Sequence, residues 1–516
     1  MKPNIVIVMT DQQRHDLRKA AGYPLDTMPF LDSFAEKGVD FSQAYTPNPT
    51  CMPARVSMFT GRYCQSHCVR TNHNAADAVY TEDLLDILKQ QGYTTALCGK
   101  NHSHHKVEEF DFHEVNGHLG VEDQQNLSRS EQRLDDYLKT LKFIDSQEPA
   151  PGDATDQLPY RNVSSALKFV DEVKETEKPF FAWVSFAEPH NPYQVCEPYF
   201  SMFPPHLLPP LSTGPENLEG KGPRYTWIRG IWEKVLGTEI EQRINRDRSN
   251  YLGMLRLIDD QFKRLIEGLE HRNLLDNTLV LFISDHGDFM GEYGLVRKGP
   301  DLSDVLTHIP MIWRGPGIAN QGRVGTNFVN IVDILPTLCD YLGVQTPFGV
   351  QGKSLRPLLE NTAYDPKEYE VAYSETGFGG LYWDEEDNLT PQEEKACHLW
   401  ETFDCLNTWT QCGQVRMLRK GDYKIQVDML GTGYLYNLND DPMEINNLWD
   451  GEMYQAIKAD MLTELTAAML RATDPIPAPR NRYRTKLHPK GFWFDKEFHA
   501  SDPGVRQIPA MVPRNV

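Results

Sequence analysis

The sequence predicts an α/β fold: a largely parallel sheet with helices on both faces, and a smaller C-terminal subdomain built from an antiparallel sheet and a helix. Three observations lead there. Four apolar runs, Ile5-Val6-Ile7-Val8-Met9, Thr94-Thr95-Ala96-Leu97-Cys98, Phe180 to Phe186 and Leu279-Val280-Leu281-Phe282-Ile283, have the unbroken character of strands covered on both faces. Each run ends in polar groups: Thr10-Asp11-Gln12, Gly99-Lys100-Asn101-His102, Glu188-Pro189-His190-Asn191-Pro192 and Ser284-Asp285-His286-Gly287. Ligands of an open α/β sheet bind beyond the carboxyl ends of its strands, so the four endings are expected to converge on one site. Helical patterns lie between the runs. Thr81 is expected to cap a helix with Glu82 and Asp83 in its first turn, Leu84, Leu85, Ile87 and Leu88 along it, and a stop at Gly92. A second helix carries Tyr251, Met254, Leu255, Ile258, Phe262, Leu265, Ile266 and Leu269 at helical spacing. These stripes are core.

With 516 residues the chain can bury a large core and is expected to hold more than one domain. A catalytic domain is expected over 1–360, closed by Gly352-Lys353-Ser354-Leu355 and Pro357-Leu358-Leu359. Residues 361–473 follow as short strand-like runs, Tyr369 to Ser374, Val415 to Leu418, Tyr423 to Val427 and Tyr434 to Leu438. A helix comes after them with Tyr454, Ile457, Met461, Leu465 and Met469. Residues 474–516, rich in proline and mixed charge, form an extended tail that wraps the surface or reaches a neighbouring subunit in a homo-oligomer. Two insert-like regions, Gly117 to Tyr160 and Tyr193 to Trp232, are expected to flank the site and shape its mouth. No internal repeat is visible.

The segment Cys51-Met52-Pro53-Ala54-Arg55, running on to Thr60-Gly61-Arg62, places a thiol, a turn entering a helix and a fixed cation together, as an activated nucleophile beside an anion site requires. The pattern C-x-P-x-R followed by T-G-R resembles the type I sulfatases, which belong to the alkaline phosphatase superfamily. In that family the cysteine is oxidised by a formylglycine-generating maturation enzyme, and the hydrated aldehyde attacks the sulfur of a sulfate ester, giving a sulfated-enzyme intermediate. The strand endings resemble the family's motifs in order. Asp11 with Gln12 is similar to the first metal-binding pair, Gly99-Lys100-Asn101-His102 to the G-K-x-H segment, His190 to the histidine of an H-x-P turn, Asp285-His286 to the second metal pair, and Lys298 to the lysine beyond it. His308-Ile309-Pro310, Val332 to Leu338 and Leu435-Tyr436-Asn437-Leu438 extend the resemblance along nearly the whole chain.

The resemblance implies a divalent cation held by Asp11, Gln12, Asp285 and His286, with residue 51 facing it. Carboxylate and carbonyl ligands favour Ca2+ or Mg2+, and the histidine leaves Mn2+ open. Arg55, Lys100 and Lys298 would hold the sulfate, each preorganised contact lowering the barrier by a few kcal/mol. His190, helped by Lys298, would protonate the departing alcohol, and His102 would take a proton from the diol. Weaker substrate contacts are expected at Arg70, Asn72, His73 and His104, and at Glu375, Trp383, His398 and Trp400. A sulfated saccharide, a glycosaminoglycan-type fragment, is the expected substrate, from the likeness of Glu197-Pro198-Tyr199-Phe200 and Phe203-Pro204-Pro205 to carbohydrate sulfatases. The Asp-Gln and Asp-His pairs also resemble phosphonate monoester hydrolases of the same superfamily, which leaves a phosphonate monoester or phosphodiester as the alternative. A non-catalytic binder of sulfated glycans is a third reading if Cys51 is not converted, and Met52 departs from the threonine or serine common at its position.

A formal net charge of -21 argues against nucleic acid or an anionic membrane surface as partner, while a local cluster of cations can still dominate over ~8 Å at physiological salt. Nine cysteines show no metal-ligand spacing and leave the compartment open. No run resembles a signal peptide or a membrane span. The expectation is a soluble protein, either cytoplasmic or exported with its leader absent.

Overall fold

The computed structural model describes residues 2–123, 126–176, 178–299, 301–377 and 413–473. Trp383, His398, Trp400 and the tail from 474 lie outside the described residues.

Eight strands form the main sheet: β1 (Asn4–Asp11), β2 (Val39–Phe41), β3 (Thr94–Gly99), β4 (Phe112–Glu114), β5 (Phe180–Pro189), β6 (Thr278–Ser284), β7 (Met311–Arg314) and β8 (Gly322–Val324). Their spatial order is β8-β2-β7-β6-β1-β5-β3-β4. All neighbours pair in parallel except β7, which runs against β6 and β2. Strand β1 therefore sits at the centre with β6 on one side and β5 on the other, and the last residues of these strands come out side by side.

Period-two alternation divides the core. Val6, Val8, Val280 and Phe282 pack on one face, Ile5, Ile7, Met9, Leu279, Leu281 and Ile283 on the other. The principal helices are α1 (Cys51–Thr60), α2 (Leu84–Gln90), α3 (Leu158–Val173), α4 (Ile240–His271) and α5 (Ile334–Leu342). Val163, Phe169, Ile258 and Phe262 from α3 and α4 cover the first face, and Met58, Phe59, Leu84, Leu88 and Leu335 from α1, α2 and α5 cover the second.

The expected cap of α2 is corrected. Asp83 caps it, accepting from the Asp86 amide at 3.0 Å while Asp86 accepts from the Asp83 amide at 3.4 Å. Aspartate is a stronger cap here because it can complete the reciprocal pair. The Thr81 hydroxyl is instead committed to the Phe348 carbonyl at 2.8 Å.

A separate antiparallel sheet of four strands, β9 (Val371–Thr376), β10 (Val415–Lys420), β11 (Tyr423–Asp428) and β12 (Gly433–Asn437), carries helix α6 (Gln455–Ala472). Met461, Leu465 and Ala468 of α6 pack on Leu418, Ile425 and Leu435. Ser374 Oγ donates to the Thr46 carbonyl at 2.6 Å and Glu375 accepts from the Gln65 amide at 2.7 Å, so this sheet fastens onto the segments that flank α1.

Phe282 is fully buried in the central sheet and also packs edge-on to Phe262 at 5.2 Å. Phe282→Ala is expected to lower stability by about 3–5 kcal/mol, measured as a shift of the urea unfolding midpoint.

Candidate active site

Helix α1 begins at Cys51 and every one of its ten residues is buried, so it enters the protein rather than lying on it. Its N-cap, Thr50, provides no side-chain bond. The Met52 amide donates instead to Asn72 Oδ1 at 3.0 Å, which meets one of the orphan N–H groups of the first turn. Asn72 thus supports the backbone next to residue 51.

The four strand endings converge as expected. Cys51 Sγ lies 3.3 Å from His286 Nε2, 3.4 Å from Lys298 Nζ and 3.6 Å from Asp11 Oδ1. Asp11, Cys51, Asp285 and His286 present ligand atoms within 4.8 Å of one another. Gly99 turns the chain out of β3 at φ +109, where a Cβ would stand 2.1 Å from the Ser185 carbonyl. Only glycine tolerates that approach. The Lys100 amide then donates to the same carbonyl at 2.8 Å.

Electrostatics here rest on two buried carboxylates. Burial and the neighbouring Asp11 raise Asp285, whereas on Asp11 burial is outweighed by Lys100, His190 and Arg55, which hold it well below the usual carboxylate range. Arg55 joins the pair, with Nε donating to Asp285 Oδ2 at 3.0 Å and Nη2 to Asp11 Oδ2 at 3.0 Å. Its Nη1 reaches Ser185 Oγ at 2.7 Å. Arg55, expected at the sulfate, stands with its guanidinium fully buried between the two carboxylates, because two buried anions without it would be uncompensated.

The residues fit a divalent cation. His286 Nδ1 donates to the Gly287 carbonyl at 2.9 Å, which turns Nε2 toward Asp11 and Asp285, each carboxylate at 3.8 Å. Burial should favour a neutral ring, yet Asp285 and Cys51 overcome it and raise His286 to about 9. The pocket is short of positive charge. On Cys51, burial and Asp11 oppose a thiolate, but Lys100, Lys298 and His286 prevail and lower its pKa, so negative charge at this position is stabilised.

Lys298 Nζ also contacts Gln12 Oε1 at 3.4 Å and His190 Nε2 at 3.3 Å. His190 Nδ1 donates to the Asn191 carbonyl at 2.7 Å, leaving Nε2 as acceptor toward Lys298. Burial, with His118 and Lys298, pushes the ring's pKa down. The acceptor nitrogen of His190 is thus turned to the Lys298 ammonium inside the cluster. Lys100 Nζ pairs with Asp11 and lies 2.7 Å from His118 Nε2. His102 follows in the left-handed region at φ 41, half-buried on the loop beside His118, whose pKa it helps to depress after burial and Lys100.

Three of the weaker expectations separate from the cluster. Arg70 lines a different small cavity with Glu375, Cys64 and Arg416. His73 is exposed on a loop whose amide bonds to Thr71. His104 turns to Asp83 at 2.9 Å, drawn by that buried carboxylate rather than by the site.

Sequence reasoning missed His118, Asp288, Tyr193 and Glu188. His118 stacks on His190 with centroids 4.0 Å apart. It stands on the Gly117 to Tyr160 insert, which gave no motif. Asp288, two residues past His286, accepts from Gln12 Nε2 at 2.5 Å and from Tyr193 Oη at 2.7 Å. Gln12, at φ 70, thereby presents Oε1 to the cluster. Glu188 is buried beside His118, His190 and Gln194. Its Oε2 has no partner, and burial raises it to about 7.

These parts define a hydrolase of alkaline-phosphatase-like architecture, with a buried cysteine at a helix N-terminus facing a cluster of acids that fits a cation. The family model described as Sulfatase matches residues 3–344, and the chain belongs to the sulfatase family. It is a sulfuric ester hydrolase. An arylsulfatase of Clostridium perfringens is 28% identical over 483 residues, covering 88% of this chain and 92% of that protein. N-acetylglucosamine-6-O-sulfatase of Bacteroides thetaiotaomicron is 24% identical, over 72% of this chain and 73% of that one. The solved phosphonate monoester hydrolase of Agrobacterium radiobacter shares the fold, with a TM-score of 0.72, 23% identity and coverage of 91% and 96%.

Because Asp288 accepts from Gln12 Nε2 and so orients the side-chain amide, Asp288→Asn is expected to weaken retention of a divalent cation roughly tenfold, measured by titrating chelator-stripped protein whose circular dichroism is unchanged. Glu188 gives a pH test. Its folded pKa of about 7 exceeds the unfolded value of about 4.3, so its stabilising contribution is full below the lower value and is lost as pH rises to the higher. Wild type is expected to lose about 3 kcal/mol relative to Glu188→Gln across that window, measured by urea unfolding at each pH.

Proposed function

We propose that this protein hydrolyses sulfate monoesters on a saccharide, a glycosaminoglycan-type fragment, using formylglycine made from Cys51 and a divalent cation. The observation that carries the reading is the position of Cys51 Sγ, within 3.6 Å of Asp11, His286 and Lys298 together. The saccharide preference is supported by the resemblance to carbohydrate sulfatases, among which the N-acetylglucosamine-6-O-sulfatase relative counts.

Asp11, Asp285, His286 and the Gln12 carbonyl oxygen would hold the cation, with Ca2+ favoured by the oxygen donors. When bound, the cation neutralises the sulfate's charge and the hydrated aldehyde supplies the attacking hydroxyl. Arg55 keeps the two carboxylates together and aligned. Lys100 and Lys298 approach the nucleophile from two sides and stabilise charge as the sulfur centre is attacked. His190 and Lys298 deliver a proton to the leaving alcohol oxygen. His102, on the Lys100 side, removes a proton from residue 51 so that sulfate departs. A formylglycine-generating maturation enzyme is the partner this route needs.

A second reading is favoured by one observation: Gln12 and His286 stand where many sulfatases carry aspartate and asparagine, as in the phosphonate monoester hydrolases that the sequence resembles. It predicts the same residue roles acting on a phosphoryl centre.

Peptide mass spectrometry of the Cys51 peptide, on protein made with a maturation enzyme, is expected to show a loss of ~18 Da. That protein is expected to turn over sulfated sugars faster than phenylphosphonate esters, and Lys298→Ala is expected to lower the rate by roughly 10²–10⁴. A persistent thiol would sink the formylglycine route; faster phosphonate turnover would select the second reading; binding of sulfated glycans without turnover by converted protein would favour a non-catalytic role.

A further inference from the structure

Besides the catalytic cluster, two groups of side chains among the described residues bring histidine and carboxylate atoms together: His15-Asp304-His308 and Asp83-His104-His105. The first is closed to a ligand. Its two rings stack 3.4 Å apart at 13°, and both nitrogens of His308 are engaged, by Asp304 at 3.1 Å and by the Ser42 carbonyl at 2.8 Å. Parallel rings cannot aim their in-plane lone pairs at a common point.

Asp83, His104 and His105 are arranged differently. Nε2 of His104 and Nε2 of His105 each lie 2.9 Å from the same oxygen, Asp83 Oδ2. The side chains are 0%, 3% and 3% exposed, and the rings are tilted by 36° with centroids 4.1 Å apart. Asp83 is held in place by its capping role, since Oδ1 accepts the Asp86 amide at 3.0 Å. His105 Nε2 lies as close to that oxygen as His104 Nε2 does, and the two rings help to hold Asp83 below the usual carboxylate range against burial. His105 Nδ1 lies 2.8 Å from Glu109 Oε2. His105 thus has a carboxylate at each nitrogen, Glu109 at Nδ1 and Asp83 at Nε2, and a cation that binds here displaces the Nε2 proton.

Two imidazole nitrogens and a carboxylate oxygen meet in a buried space, with one ring oriented through its far nitrogen by a second carboxylate, and once the ring protons are displaced this is the donor pattern of a metal centre. The geometry points to a second, structural cation site at Asp83, His104 and His105, selective for Zn2+. Two imidazoles and one carboxylate suit zinc, whereas calcium and magnesium prefer oxygen-rich sets. The pairwise separations of 2.9 Å are a few tenths of an ångström below those of ligands around tetrahedral zinc at its usual bond lengths, so a small parting of the rings admits the ion. Its position explains a use. The site ties the N-terminus of α2 to the loop that leaves β3 with Lys100 and His102, and so clamps the loop that carries two site residues. Zinc here would take no part in the reaction itself.

The test uses full-length protein carrying His286→Ala, so that zinc cannot share the catalytic cluster's histidine. After stripping with chelator and dialysis against Zn2+, metal analysis is expected to find one zinc per chain, lost when His104→Ala and His105→Ala are added. Glu109→Gln in the same background is expected to weaken zinc binding roughly 10–100-fold. X-ray absorption at the zinc edge of the His286→Ala protein needs no further variant, and a shell with two imidazoles is the expected result. The proposal is overturned if His286→Ala protein retains no zinc, if the added substitutions leave its zinc content unchanged, or if the zinc shell holds fewer than two imidazoles.

Discussion

The guanidinium of Arg55, tied between Asp11 and Asp285, is the interaction on which the rest of the site depends. Those carboxylates end two adjacent parallel strands, β1 and β6, so the sheet register itself places like charges side by side in a space that excludes water. Each such charge is costly to bury unless paired and hydrogen-bonded. Arg55 answers that cost from α1, four residues after Cys51, on the same face of the helix one turn away. One helix therefore delivers both Cys51 and the cation that lets the acids stand behind it.

From this constraint follows an unequal sharing of charge. Asp11, reached by Lys100 as well as Arg55, is held ionised, while Asp285 is raised by burial and by Asp11 itself. His286 is pulled toward a charged state by Asp285 and Cys51 against burial. A pocket of this kind favours added positive charge and also stabilises negative charge at residue 51, the two demands that the proposed attack on an anionic ester makes.

The supporting contacts come from places with no motif of their own. Asp288 and Tyr193 fix the Gln12 amide, His118 lies between Lys100 and His190, and Ser185 receives Arg55. Two of these lie on the inserts that leave the sheet before and after β5. Loops positioned on a rigid scaffold can vary without disturbing the core, which is why they are suited to tuning how a shared centre treats its substrates.

The sequence by itself determined four strands of the main sheet, their burial on both faces and the grouping of Asp11, Lys100, His190, Asp285 and His286 at their ends, because apolar runs and the rule that ligands gather at the carboxyl ends of parallel strands are both local in the chain; Cys51 and Lys298 joined that group through the resemblance to the sulfatases. It also made the small antiparallel sheet legible through alternation and turn spacing. It did not reveal that Arg55 serves the carboxylates, that Asp83 rather than Thr81 caps α2, that Arg70, His73 and His104 face elsewhere, or that His118, Asp288 and Glu188 belong beside the site. Each of those outcomes turns on which buried charge finds a partner across a gap of many residues, as in the 230 residues that separate Arg55 from Asp285. Desolvation makes such pairings strong only once the chain has folded, so the tertiary structure alone decided them.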